Sequence, residues 1–324
     1  MNKITNLIVL VFTIVFIMLW FFAIMTFIKL EKDEKPLIKA EIPKETIDFF
    51  KNLPKFIDIS FHYNPNPDPF SWGKYEPVQD MLRIEDSCFI VFYSRADSVK
   101  EYSKAQVTLS HAREAIPELE KLMKDYPYPY EVKKRKLPIY VANNEKNYLE
   151  IQKELSPLGA VNSVGVYIFE YSSMGTLTKG IVLSPKAFTA FDPVPEVSLK
   201  ITLWHEMNHY VYFTNYDFIN NEEPYLWYTE GCAEYFAGNT ARLKDINKSE
   251  ARQYEFENND LGYSAYWVGY SAFLYYENIF GKNKLSNLIF RSYDDGLKKA
   301  LKSSSNITLD EWERGWKNYV QSIN

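Results

Sequence analysis

Residues 195–212 read PEVSLKITLWHEMNHYVY, and the way this stretch folds governs the reading of the whole chain. A proline at its start suits a first helical turn, where its missing N–H has no intrahelical partner to lose. The pattern predicts one helix from about Pro195 through Tyr212. On a helix His205 and His209 lie four residues apart, on one face and about one turn from each other. Two imidazoles presented this way can reach a single ion, and zinc accepts neutral imidazole nitrogen at about 2.0–2.1 Å. Glu206 sits beside the first ligand but points off the metal axis. It is therefore placed to take a proton from a water at the metal rather than to coordinate. Two histidines and a glutamate at these offsets arise by chance in roughly one chain in a hundred of this length, so the five residues alone do not decide function. The chain has only four histidines. Half of them fall in this pattern, whereas His62 and His111 lack any such spacing and are expected to be structural or solvent-exposed.

A catalytic zinc needs a third protein ligand and one open position. Residues 227–235, WYTEGCAEY, follow His209 at a suitable distance. Glu230 is placed to supply the third ligand from a following helix. Glu234, one helical turn further on the same face, can accept the free ring N–H of a ligand histidine, with His205 the expected partner. Gly231 is expected to let this helix pack close against the helix of His205. The bland alternative is an amphipathic core helix whose two glutamates face solvent.

HEMNH followed by WYTEGCAEY resembles the gluzincin zinc metallopeptidases, and among them most the small peptidase-MA-like domains of bacteria. The resemblance covers roughly residues 85–320. It implies that Glu230 binds zinc and that Glu234 supports a histidine ligand. It also implies hydrolysis of peptide bonds, with peptide or protein substrates. Thr229 and Cys232 stand where relatives often carry other residues, which bears on the shape of the pocket. A third histidine six residues after His209 would mark a metzincin, but that position is Asn215. No G-x-M-E-N segment is present to anchor a free amino terminus, as an aminopeptidase would require. From the resemblance alone, the strand Gly180–Leu183 is expected to pair as an edge with extended substrate. No further active-site histidine is identifiable, so a tyrosine is the natural oxyanion donor, with Tyr266 the first candidate and Tyr270 the second.

Outward from the motifs, Cys88–Tyr93 and Leu137–Ala142 read as short buried strands, and Val164–Tyr171 and Gly180–Leu183 as two more. Helices are expected over Asp97–Lys124, bent near Pro117, and over Glu145–Leu155. Helical patterns dominate from Trp227 onward. The fold class is thus α+β, a zincin-like domain with a small mixed sheet and a mainly helical C-terminal half. The run Asn64–Pro69 with its alternate prolines can continue neither a helix nor a central strand. This divides the chain into a membrane anchor (1–29), a juxtamembrane or irregular segment (30–80) and the metallopeptidase-like domain (81–324).

Between Ile4 and Ile28 no charged residue occurs, and Leu7–Ile28 is almost wholly apolar. That length crosses a hydrocarbon core of about 30 Å as a helix, and it is longer than the apolar region of a cleaved signal peptide. A single-pass anchor in the lipid bilayer through residues 7–28 is expected. The catalytic domain is expected on the extracytoplasmic side, although Lys29, Lys32, Lys35 and Lys39 after the span do not support that orientation. The net charge of −5 argues against nucleic-acid binding. The basic run 133–136 reads as a solvated lead-in to a strand. With 25 Tyr, 22 Phe and 7 Trp, the aromatics are expected mainly to pack the core. Cys88 and Cys232 offer no thiolate zinc site, and are expected as buried free thiols in preference to one disulfide. The rival functional reading is a membrane-tethered binding or regulatory protein that keeps a metal without turnover. The intact Glu206 speaks against it.

Overall fold

The computed structural model describes residues 81–122, 136–156, 159–172, 175–218, 220–258 and 262–323, together with a strand at 59–63. The apolar span 7–28 and the proline run 64–69 lie outside the described residues. Among the described residues no helix is long and apolar enough to cross a membrane.

Six strands form one mixed sheet: β1 (Ile59–Tyr63), β2 (Met81–Glu85), β3 (Phe89–Ser94), β4 (Leu137–Val141), β5 (Gly165–Ser172) and β6 (Gly175–Leu183). Their order is β1-β5-β6-β4-β3-β2. β1 runs parallel to β5, so the sheet takes an outer strand from within the 30–80 segment read as irregular. β6 is longer than the Gly180–Leu183 expected, because the hairpin with β5 keeps it paired from Gly175. It is also no edge. β5 pairs with it on one side and β4 on the other, so its backbone groups are already used and cannot receive a substrate strand.

The strands alternate strictly between two cores, as a period of two requires. Phe89, Val91 and Tyr93 of β3 join the larger core, with Ile139, Tyr167 and Ile181 of neighbouring strands. Ile90 and Phe92 face the smaller one, with Tyr140, Val166 and Val182. The smaller core is closed by helix α2 (Glu145–Leu155) through Tyr148 and Ile151. The larger is covered by α1 (Ser98–Leu122), which contains Pro117 as read, and by α3 (Pro195–Asn215). At residue 111 the backbone carbonyl accepts from Nε1 of Trp204 at 3.0 Å, and the ring of His111 lies 3.4 Å from Glu114. Lys136, from the basic run, pairs with Glu85 at 2.8 Å.

The helical half consists of α4 (Leu226–Ala237), the short α5 (Lys248–Gln253), α6 (Ser264–Phe280), α7 (Lys282–Ser305) and α8 (Leu309–Ser322). A capping box at Thr308 and Glu311 starts α8. Behind the site, Trp227, Trp312 and Trp316 are fully buried, and Trp227 stacks on Phe256 at 3.9 Å. Among the described residues most aromatics pack the core. Cys88 and Cys232 are both free thiols, Cys232 buried and Cys88 only partly so.

Gly231 packs against a different helix from the one expected. Its close neighbour is Gly269 of α6, not the helix of His205. A Cβ on Gly269 would lie 2.1 Å from the carbonyl oxygen of Trp227 and 2.5 Å from the Cα of Gly231. Backbone meets backbone here, so no side-chain rotation can relieve an added methyl. Gly269→Ala is expected to destabilise the fold by about 3 kcal/mol, the upper end for overpacking. Gly238→Ala, at a left-handed helix end with nothing within 4 Å, should cost about 1 kcal/mol. Denaturant midpoints of the two variants check the contrast, and equal losses would contradict it.

Candidate metal centre

α3 is buried nearly all round, which leaves its polar residues 205, 206, 208 and 209 inside the protein. His205 and His209 rise from it one turn apart, with Nε2 atoms 2.9 Å from each other. α4 crosses in front and brings Glu230, whose Oε2 lies 3.2 Å from Nε2 of His205 and 3.4 Å from Nε2 of His209. One ligand atom from each of the three residues falls within 4.8 Å of the others. All three are buried, Glu230 and His209 completely.

These residues can hold a metal ion, and two observations favour the fit. Both oxygens of Glu230 and Nδ1 of His209 are buried without a hydrogen-bond partner of proper geometry among the described residues. Such groups are costly to leave unsatisfied, and a cation satisfies the carboxylate directly. The charge balance points the same way. Glu206, Glu230 and Glu234 are buried beside a single buried guanidinium, that of Arg242. Three carboxylates against one guanidinium leave two negative charges, which one divalent ion offsets while the imidazoles stay neutral.

In the free site a proton meets part of this demand. Burial works against a charged His205, but Glu234, Glu230 and Glu206 outweigh it, and the imidazole pKa is pushed up to about 10. Burial also works against the Glu230 charge, and the two imidazoles nevertheless hold that carboxyl below the usual range. His209 is shifted the opposite way from His205, downward, because burial is its largest influence.

Glu234 stands on α4 one turn after Glu230, with Oε1 3.6 Å from Nδ1 of His205. Its other partner was not read from sequence. Nε and Nη2 of Arg242 reach the same Oε1 at 2.8 and 2.7 Å. Nη1 of Arg242 donates to the Tyr263 hydroxyl at 2.7 Å and lies 3.5 Å from Asp245. Arg242 comes from a 3-10 turn at Thr240–Asp245, where nothing in the local pattern marks one arginine as special. Gly165 is the second residue that sequence reasoning passed over. A Cβ there would lie 3.0 Å from Cγ and Oε1 of Glu206, so the start of β5 presses directly on that side chain.

A cavity of about 310 Å³ adjoins the triad through His205, and is lined among others by Glu206, Glu234 and Arg242. Tyr266 is at this wall, its ring stacked 6.1 Å from that of His205. Tyr270 is not among the lining residues. Nor are Thr229 and Cys232, since the hydroxyl of Thr229 donates to the Leu226 carbonyl and Cys232 is buried. The segment Val161–Val164, leading into β5, forms part of the opposite lining. No protein-family profile matches the chain, and comparison with curated proteins finds no similar sequence.

Two outcomes follow for metal binding. A proton held on His205 up to about pH 10 must leave when the ion enters. Apparent Zn²⁺ affinity should therefore rise with pH between 6 and 9, by about tenfold per unit for one displaced proton. Chelator competition measures this, and a flat profile counts against the ligand role of His205. Arg242→Met should lower the affinity by about 10–100-fold, because Glu234 loses the group that fixes it beside His205.

Proposed function

We propose that the chain is a zinc metallopeptidase of the gluzincin type, hydrolysing peptide bonds and held at a membrane through residues 7–28. The convergence of His205, His209 and Glu230 carries this reading, with His205 and Glu206 lining the adjoining cavity. A His₂Glu donor set with a carboxylate beside it, and an open side for water and substrate, suits catalytic zinc better than a closed structural site. The resemblance of HEMNH and WYTEGCAEY to gluzincin motifs points the same way.

Zinc held by His205, His209 and Glu230 would supply Lewis acidity to the attacking water and the scissile carbonyl. The chain's own groups do the rest. Glu206 takes the proton of the attacking water and passes it to the leaving nitrogen. Its contact with Gly165 limits where its carboxylate can sit. Tyr266, whose ring stacks 6.1 Å from that of His205, is our candidate donor to the developing oxyanion. Glu234, tied to Arg242, orients His205. The apolar span 7–28 supports anchoring in a lipid bilayer, with the catalytic domain read as extracytoplasmic and a peptide or protein as substrate.

The test separates the base from the ligands. Glu206→Gln should retain stoichiometric zinc and lose at least about 100-fold in kcat on a peptide mixture, whereas Glu230→Ala should lose the metal itself. Stoichiometric zinc with no cleavage that depends on Glu206 would transfer the protein to the regulatory class. Gly165→Ala should keep zinc and lower kcat, because its methyl displaces Glu206.

A further inference from the structure

Residues 161–165 form one wall of the cavity, and sheet pairing does not account for how most of them are held. β5 begins only at Gly165, opposite Leu183. The segment before it crosses from one face of the sheet to the other, since Val161 packs against the smaller core and Val164 against the larger. Helix α2 supplies what a neighbouring strand would. Nε2 of Gln152 donates to the Val161 carbonyl at 3.1 Å, and its Oε1 accepts from the Val161 N–H at 2.8 Å. One turn earlier on the same face of α2, the Tyr148 hydroxyl lies 2.6 Å from Oγ of Ser163. Ser163 gives its own proton to the Gly165 carbonyl at 2.6 Å, so Tyr148 is the donor of that pair. The Ser184 N–H completes the set by donating to the Val164 carbonyl at 2.9 Å.

Gln152 and Tyr148 are both completely buried, beside the apolar smaller core. An amide buried there carries a desolvation cost that a leucine of similar size would not. What it adds is direction. Two bonds to one residue fix the backbone in place and in rotation, which apolar packing alone does less sharply. The end of the segment so fixed is Gly165, which meets α3. A Cβ there would lie 2.9 Å from Cγ2 of Thr202 and 3.0 Å from Cγ and Oε1 of Glu206. Thr202 turns its methyl to this contact, while its hydroxyl donates to the Ser198 carbonyl. The Glu206 carboxylate therefore rests on backbone whose position is set from the other face of the sheet.

We propose that Gln152 is a positioning residue for Glu206, acting through the wall 161–165, with Tyr148 and Ser163 as a second tie on the same wall. Gln152 itself is absent from the cavity lining. The inference rests on the reading of Glu206 as general base, and a base misplaced by about 1 Å can cost about 100-fold in rate. The experiment uses the full chain loaded with Zn²⁺. It measures kcat and KM on one peptide, and in parallel the affinity of acetohydroxamate. A hydroxamic acid gives up a proton to a neighbouring base as it binds a metal, so its affinity reads the Glu206 carboxylate without turnover.

Gln152→Leu keeps the volume and removes both bonds to Val161. It should lower kcat by about 10–100-fold and hydroxamate affinity by about tenfold, with KM within about threefold and zinc at one equivalent. Tyr148→Phe removes a single hydroxyl and should lower kcat by about 3–10-fold in the same pattern. Ile151→Ala opens a void in the same core but leaves the bonds to Val161 in place, so its kcat should stay within about twofold of wild type. In a Glu206→Gln background the losses from Gln152→Leu should vanish. Values for Gln152→Leu and Tyr148→Phe equal to those of Ile151→Ala, or losses undiminished in Glu206→Gln, overturn the inference even if the peptide is cut. Weakened hydroxamate binding in the two variants, with no cleavage by any form, supports it and overturns only the peptidase reading. Equal hydroxamate binding by all forms with no cleavage, or none by the wild type, overturns both.

Discussion

Six ionisable side chains, His205, Glu206, His209, Glu230, Glu234 and Arg242, lie buried around one point in the protein. Removing that many charges from water is costly unless each is paired, and the surroundings are organised to pair them. Arg242 takes Glu234, and the carboxylates keep a proton on His205 in the free site. What remains is a carboxylate and two imidazole nitrogens aimed at each other, an arrangement that a divalent cation completes. The all-round burial of α3 follows from the same requirement. An exposed helix would let water solvate these groups, and the electrostatic demand for a metal would fall away.

The position of the third ligand depends on a backbone contact remote from any charge. Gly231 follows Glu230 directly, and Gly269 comes three residues after Tyr266. Where α4 and α6 cross at these two glycines, the separation of the helices is set by main-chain contact rather than by side-chain packing. The crossing therefore positions both the Glu230 carboxylate and the tyrosine on the cavity wall. The tryptophan and phenylalanine cluster beneath supports α4 from the other side. Catalytic geometry of the kind proposed tolerates little play, and a close glycine crossing is a stiff way to provide it.

Much of the centre was legible because its members are neighbours in sequence. His205, Glu206 and His209 are related by helical spacing alone, and Glu230 and Glu234 by one further turn on the next helix. The strands at 89–94 and 137–141 and the helix at 145–155 were legible for the same reason, since short apolar runs and a clean helical period are local signals. Arg242, Gly165 and Gly269 were not, because their roles come from contacts between elements distant along the chain. Sheet order belongs to this second kind. Nothing within Gly180–Leu183 tells whether its neighbours are strands or solvent, and the parallel pairing with β4 makes it interior. The partner of Gly231 was misassigned in the same way. A glycine announces a close approach but does not name what approaches.

Arg242 joins the two halves of the functional argument. Through Glu234 it acts on His205, and through Phe191, Tyr263 and Tyr266 it lies under the surface that a substrate would meet. A cation in this place could have been a specificity handle for anionic groups. Engaged by a buried carboxylate and covered by rings, it serves instead to fix Glu234 beside His205 and to back the aromatic wall. The same side chain thus offsets one carboxylate charge behind the metal site and keeps its own charge engaged at the cavity wall. Of the carboxylates around the candidate metal centre, Glu206 and Glu234 reach the cavity lining, and Arg242 offsets the second of them.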